Sequence, residues 1–266
     1  MRLPLAVAIV VLLAPGLVRA ATGPLVIVGG GSIGPDIVSA ALALSGGRNA
    51  IVAVLPQSSA EPDAGDSSVK MWLEAGAKEA VNVSFDDRAA ASAALRRATL
   101  IWIPGGDQNR FMKAIDGTGL DDLIRERHRA GLAVGGTSAG AAVIAGAMFT
   151  GDADLRSLTA GSTVIGQGLG LWPAALIDQH FLKRQRDNRL ISAVFDQPSL
   201  VGVGIDESTA IIVRDASFDV IGRSSVVVID ARGAKIDRSS RGGPVSGTGV
   251  KLAVLHAGQR YSLERR

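Results

Sequence analysis

Short unbroken apolar runs alternate along the chain with longer stretches in which apolar residues recur at helical spacing. Residues 25–28, 51–55, 100–103 and 132–134 are of the first kind. Runs this short, with no polar alternation, fit strands buried on both faces, as in a parallel sheet covered by helices. Between them, 37–44, 69–75, 89–97 and 120–129 read as the covering helices. The pattern predicts an α/β fold, a doubly wound, mostly parallel sheet with helices on both faces. Past about residue 200 the texture changes: β-type runs at 210–213, 218–221 and 226–229 follow closely, separated by Arg214-Asp215 and Gly222-Arg223. These predict a C-terminal antiparallel extension. The Ser- and Gly-rich stretch 239–249 reads as a mobile loop.

The first twenty residues stand apart. Arg2 precedes an apolar run at 5–13, followed by Pro15 and the small-residue site Val18-Arg19-Ala20. This is the pattern of a secretory signal peptide, and the run is too short to read as a spanning helix. The expected organisation is a leader, 1–20, and one domain, 21–266, exported to the periplasm or beyond and free of the membrane once cleaved. The formal net charge is +3. Losing Arg2 and Arg19 leaves +1, which gives no footing for nucleic-acid binding. There is no cysteine and there are three histidines, so disulfides, thiolate metal sites and a cysteine nucleophile are excluded and a His-rich metal site is not expected. The chemistry must come from oxygen and nitrogen groups; nucleophilic catalysis through an acyl-enzyme would require no metal or organic cofactor.

Gly29-Gly30-Gly31-Ser32-Ile33-Gly34 follows the first apolar run and precedes a helix, so it satisfies the glycine spacing of a dinucleotide fingerprint. That fingerprint also needs an acidic residue at the end of the next strand, to hold the ribose hydroxyls. Here that strand runs into Pro56-Gln57-Ser58, and the first acid is Glu61. The glycines therefore read as a tight turn where backbone passes close to backbone.

Gly136-Thr137-Ser138-Ala139-Gly140 lies between a buried strand and an Ala/Val/Ile helix. This strand-turn-helix context is what a nucleophile elbow requires, because the flanking glycines let backbones approach while the turn pushes the Ser138 hydroxyl outward. A serine needs a base, usually imidazole. His128 sits in a charged helix end and reads as solvated; His256, near the C-terminus, reads as structural or superficial. His180, in Ile177-Asp178-Gln179-His180-Phe181, is the best base. The orienting carboxylate falls on Asp206 or Glu207, which follow an apolar strand and point to opposite faces, and the pattern leaves both open.

Four blocks in order resemble the cyanophycinase family, serine exopeptidases related to peptidase E with a class I glutamine-amidotransferase-like fold. They are Pro104-Gly105-Gly106-Asp107-Gln108, Gly135 through Ala141, Asp178-Gln179-His180-Phe181 with Arg184, Arg186 and Arg189, and Gly204-Ile205-Asp206-Glu207-Ser208-Thr209-Ala210. The resemblance implies Ser138 as nucleophile, His180 as general base and Glu207 as orienting carboxylate. It implies an oxyanion site at the N–H groups of Ala139 and of Gly105 or Gly106, and a homodimer. The implied substrate is cyanophycin, a poly-aspartate with arginine on each side-chain carboxyl, or a β-aspartyl peptide, cut to β-Asp-Arg dipeptides. Arg184, Arg186 and Arg189 suit bidentate capture of carboxylates, Asp178 a substrate guanidinium, and Gln108 and Gln179 substrate amides or carboxyls. The chain departs from intracellular members in its leader and in its uncharged 31–35 loop. Two other readings are a peptidase E-like hydrolase of short aspartyl dipeptides and a non-catalytic small-anion or nucleotide binder using Gly29–Gly34.

Overall fold

The computed structural model describes residues 22–151, 156, 158–238 and 240–264, so the 1–20 leader lies outside the described residues. Sixteen strands form among these residues. The first eight are β1 (Leu25–Val28), β2 (Ile51–Val54), β3 (Glu79–Asn82), β4 (Leu100–Ile103), β5 (Ala133–Thr137), β6 (Ala145–Phe149), β7 (Ile165–Gln167) and β8 (Trp172–Gln179). The rest are β9 (Val201–Ile205), β10 (Thr209–Arg214), β11 (Ser217–Gly222), β12 (Ser225–Asp230), β13 (Lys235–Arg238), β14 (Val245–Thr248), β15 (Lys251–His256) and β16 (Arg260–Ser262). The α-helices are α1 (Pro35–Leu44), α2 (Asp66–Glu74), α3 (Arg88–Arg97), α4 (Gln108–Ile115), α5 (Leu120–Arg129), α6 (Ala139–Ile144) and α7 (Asp187–Asp196).

An eight-stranded sheet runs in the order β16-β11-β10-β1-β5-β4-β2-β3. Its five strands from β1 to β3 are parallel, and β10, β11 and β16 add an antiparallel edge. The unbroken apolar runs are explained by the two faces. Val26 and Val28 face a core closed by α1 and α2, while Leu25 and Ile27 face one closed by α3, α4, α5 and α6. Successive strand residues alternate faces, so a strand covered on both sides has no position for a polar residue. The α/β, mostly parallel architecture with helices on both faces is thus present. No helix among the described residues is long and apolar enough to cross a membrane.

The structure adds a second sheet, six strands in the order β15-β12-β9-β8-β6-β7. Its inner face, with Ile177, Val203, Ile205, Val226 and Val228, joins the core of the first sheet, and its outer face packs on α7. The run at 226–229, expected in the antiparallel extension, belongs here. Val226 and Val228 face the core shared with the first sheet and Val227 and Ile229 face α7, so β12 is covered on both sides, while β9 and β15 pair with its two edges. The predicted 239–249 loop is corrected in part: β14 pairs antiparallel with β13. Gly247 lies so close to α7 that a Cβ there would stand 2.6 Å from the Phe195 ring, a long-range contact that local composition does not report.

Truncation of a fully buried residue shared by the two sheets should be costly. Ile101→Ala, on β4, is expected to lose about 2–5 kcal/mol of stability by denaturant unfolding, whereas Leu252→Ala, 67% exposed on edge strand β15, should stay within about 0.5 kcal/mol of the parent.

Candidate active site

The three proposed triad residues each follow a strand. Ser138 joins β5 to α6 with φ 54° and ψ −114°. A non-glycine residue held there is strained, and the strain persists because the surroundings fix it. Gly140 allows the tight return, since a Cβ there would stand 1.9 Å from the Ile103 carbonyl oxygen. His180 and Glu207 follow β8 and β9, which are parallel neighbours in the second sheet. The first sheet therefore presents the hydroxyl, and the second presents the ring and the carboxylate.

His180 Nε2 lies 2.8 Å from Ser138 Oγ, and His180 Nδ1 lies 2.7 Å from Glu207 Oε1. A carboxylate only accepts, so Nδ1 carries the proton and Nε2 offers a lone pair to the serine hydroxyl. Burial pushes the His180 pKa below its ordinary value, and Arg184 and Arg186 add to this against the upward pull of Glu207. The ring is neutral near pH 7 and can accept a proton. Asp206, the other carboxylate left open by the sequence, does not reach the ring. It accepts the Lys183 N–H at 2.9 Å and the Ser224 hydroxyl at 2.7 Å. Burial would raise its pKa, but those hydrogen bonds and the N–H groups of Glu207 and Leu182 together hold it low.

The other histidines are elsewhere. His256 is exposed on β15. His128 corrects the expectation of a solvated side chain: it is 5% exposed, with Nδ1 3.2 Å from the Leu132 carbonyl. Burial lowers its pKa. The charged neighbours Arg127 and Arg129 drew the reading to the surface, but the helix turns His128 inward.

The backbone of Gly105 lies beside the serine, close enough that a Cβ would be 3.4 Å from Ser138 Cβ. The N–H groups of Gly105, Gly106 and Ala139 have no hydrogen-bond acceptor among the described residues. Ser58, which the sequence reading missed, holds this turn. It is 1% exposed, its hydroxyl donates to the Gly105 carbonyl at 2.7 Å, and its own carbonyl accepts the Asp107 N–H at 2.8 Å. Tying the Gly105 carbonyl to Ser58 directs the N–H on the other side of that peptide plane, that of Gly106, the opposite way. A lone serine in a polar loop carries no sequence signal for this role.

Beside Ser138 opens a cleft of about 320 Å³ whose walls include Gln108, Gln179, Arg184, Arg186 and Arg189. Arg184 is exposed and its guanidinium has no partner among the described residues. Arg186 Nη1 donates to the carbonyl and side-chain oxygens of Gln179 at 2.6 and 2.7 Å. Gln108 spends Nε2 on the Phe149 carbonyl at 2.8 Å. Asp178 does not stand where a substrate guanidinium could meet it. It is 0% exposed, and Arg189 takes both its oxygens, Nε at 2.8 Å, while the guanidinium stacks 4.5 Å over Phe149. Burial pushes the Asp178 pKa up, and Arg189 and Arg186 oppose it. The expectation took an acidic residue next to the base for a ligand, but β8 points it into the core. Its role is to fix Arg189 under the cleft.

The model of peptidase family S51 matches residues 25–221, more than half of the chain. The chain belongs to peptidase family S51. It is a serine-type exopeptidase hydrolase. It is similar to the cyanophycinase of Geminocystis herdmanii, 33% identical over 240 residues, covering 86% of this chain and 88% of that one. The cyanophycinase of Synechococcus elongatus is 35% identical over 244 residues, covering 86% and 75%. A solved peptidase from an acI-B1 actinobacterium superposes with a TM-score of 0.62 at 20% identity, over 92% of this chain and 98% of that one, a likeness of fold.

Removing Asp178 leaves a buried guanidinium without its carboxylate. Asp178→Ala is expected to lose about 3–5 kcal/mol by denaturant unfolding; a residue that only held substrate would leave stability unchanged.

Proposed function

We propose that this S51 peptidase hydrolyses a cyanophycin-type polymer to β-Asp-Arg dipeptides through an acyl-enzyme on Ser138. The observation that carries the reading is the hydrogen-bonded series Ser138–His180–Glu207 beside an arginine-lined cleft. The cyanophycinase relatives support the substrate class.

In this scheme Ser138 Oγ attacks the peptide carbonyl carbon while His180 Nε2 takes its proton. Negative charge develops on the carbonyl oxygen, where the N–H groups of Ala139 and of Gly105 or Gly106 donate to it. The tetrahedral intermediate collapses, the C–N bond breaks, and the ring returns the proton to the leaving amine. The terminal dipeptide departs with that amine; water then attacks the ester with the ring as base, which frees the shortened chain and regenerates the serine. Glu207 accepts the hydrogen bond from Nδ1–H, which stays on the ring, and so orients the imidazole throughout.

The cleft supports a substrate ending in carboxylates. Arg184 has no partner for its guanidinium among the described residues, Arg189 is held rigid by Asp178, and Arg186 donates to Gln179. In an exopeptidase that works from the carboxyl end, such a group confines cutting to that end by recognising the terminal carboxylate. Burial of the terminus against fixed guanidiniums also favours the polymer over a short dipeptide, which has less to offer three cations. The leader pattern supports export to the periplasm or the outside of the cell, and the family resemblance a homodimer.

Digestion of purified polymer tests the scheme. Ser138→Ala is expected to lower turnover by about four to six orders of magnitude with the fold intact; undiminished release of arginine-containing dipeptide would contradict it. The pH profile supplies a second check. Activity needs the neutral ring, so kcat/KM should rise with pH through the His180 pKa, at a midpoint below the ordinary histidine value of about 6.5. Glu207→Gln removes the group that raises that pKa, so its limb should fall at still lower pH while the plateau drops.

A further inference from the structure

Three consecutive carbonyls where β1 ends accept N–H groups from three other segments. Val28 O takes the Ser138 N–H at 3.1 Å, Gly29 O the His180 N–H at 2.6 Å, and Gly30 O the Ser208 N–H at 2.9 Å. The donors are the proposed nucleophile, the proposed base, and the residue directly after the orienting carboxylate. All three are non-glycine residues with positive φ, at 54°, 49° and 55°. Backbone in that region persists only where its surroundings over-determine it. Here one short stretch of chain supplies a hydrogen bond to every one of the three.

The glycines act from the same stretch. A Cβ on Gly30, at φ 102°, would stand 2.3 Å from His180 Cε1 and 2.5 Å from Nε2. On Gly31, at φ 68°, it would stand 2.9 Å from Glu207 Cβ. Bare backbone therefore lies against the imidazole and against the stem of the carboxylate. This accounts for a glycine run with fingerprint spacing and no ribose-binding acid after β2: the room that glycine leaves is filled by the triad.

We propose that the 28–31 turn is the positioning template of the Ser138–His180–Glu207 triad, with Gly30 setting the place of the imidazole relative to the serine hydroxyl. The proposal rests on the triad reading above. Gly30 is a positioning residue, since it acts through the ring and supplies no side chain to substrate.

Gly76 provides the control, because it has a similar φ of 95° and nothing within 4 Å of a built Cβ. Gly30→Ala, Gly76→Ala, Ser138→Ala and the parent are compared on polymer digestion, pH profile and thermal unfolding. Gly30→Ala is expected to lower kcat about a hundredfold, the scale of an ångström-sized misplacement, with KM changed less than about threefold. Its acidic limb should move to higher pH, because the displaced ring loses the burial that is the largest effect lowering its pKa. Gly76→Ala should lose thermal stability and keep both rate and limb.

If Gly30→Ala fails to fold, the clash is read by removing the ring. The Gly30→Ala/His180→Ala double variant should then fold and recover stability that Gly30→Ala alone has lost. The template is overturned by parental kcat and limb in Gly30→Ala, by equal rate losses in the two glycine variants, or by a double variant no more stable than Gly30→Ala. An inactive Ser138→Ala beside a fully active Gly30→Ala overturns the template alone. An active Ser138→Ala overturns the triad reading and the template with it.

Discussion

The imidazole of His180 is gripped at both nitrogens, 2.8 Å from a serine hydroxyl and 2.7 Å from a glutamate carboxylate. The surrounding architecture serves to keep those two distances. The partners are 42 and 27 residues away in sequence, so no local structure can bring them together. Two sheets do so. β5 delivers the serine from one, neighbouring β8 and β9 deliver the ring and the carboxylate from the other, and the inner faces of both share one apolar core. Proton transfer tolerates errors of roughly half an ångström, and close-packed side chains between sheets have little freedom to drift.

Electrostatics and packing then work on the same few residues. Burial keeps the His180 ring neutral, which a base requires, and Arg184 and Arg186 push in the same direction from the cleft wall. Those cations suit an anionic substrate, and the carboxylates that such a substrate brings would in turn favour the charged ring as the proton arrives. Asp178 contributes from below. Alone it would be a poor tenant of the core, but paired with Arg189 it places a rigid guanidinium at the edge of the cleft. A buried pair of this kind adds little over an apolar replacement of both partners, whereas loss of one partner strands the other's charge in the core.

Features governed by short-range pattern were legible in the sequence. Strands buried on both faces announce themselves as unbroken apolar runs, which placed β1, β2, β4 and β5, and helical spacing placed α1, α2, α3 and α5 but not α4. The elbow at Ser138 was readable because a strand, two glycines and a helix are contiguous. Features governed by long-range pairing were not. β12 looks like the next rung of the hairpin β10–β11 until its partners β9 and β15 are known, and β14 looks like loop until Gly247 is found against Phe195. Asp178 and His128 were misjudged for different reasons: the acid, close to the proposed base, read as a ligand, and the histidine, among charged neighbours, read as solvated, while strand and helix turn both side chains inward. Ser58 left no trace because its partners, the carbonyls of Pro104 and Gly105, are backbone groups of another segment.

The proposed chemistry turns on a single serine hydroxyl activated by a single imidazole. Reaction with a fluorophosphonate, followed by mapping of the adduct to a peptide, addresses it most directly. One adduct per chain is expected, on Ser138, formed rapidly in the parent protein and at a greatly reduced rate in His180→Ala. An adduct on a different serine, or equal rates with and without the imidazole, would contradict it.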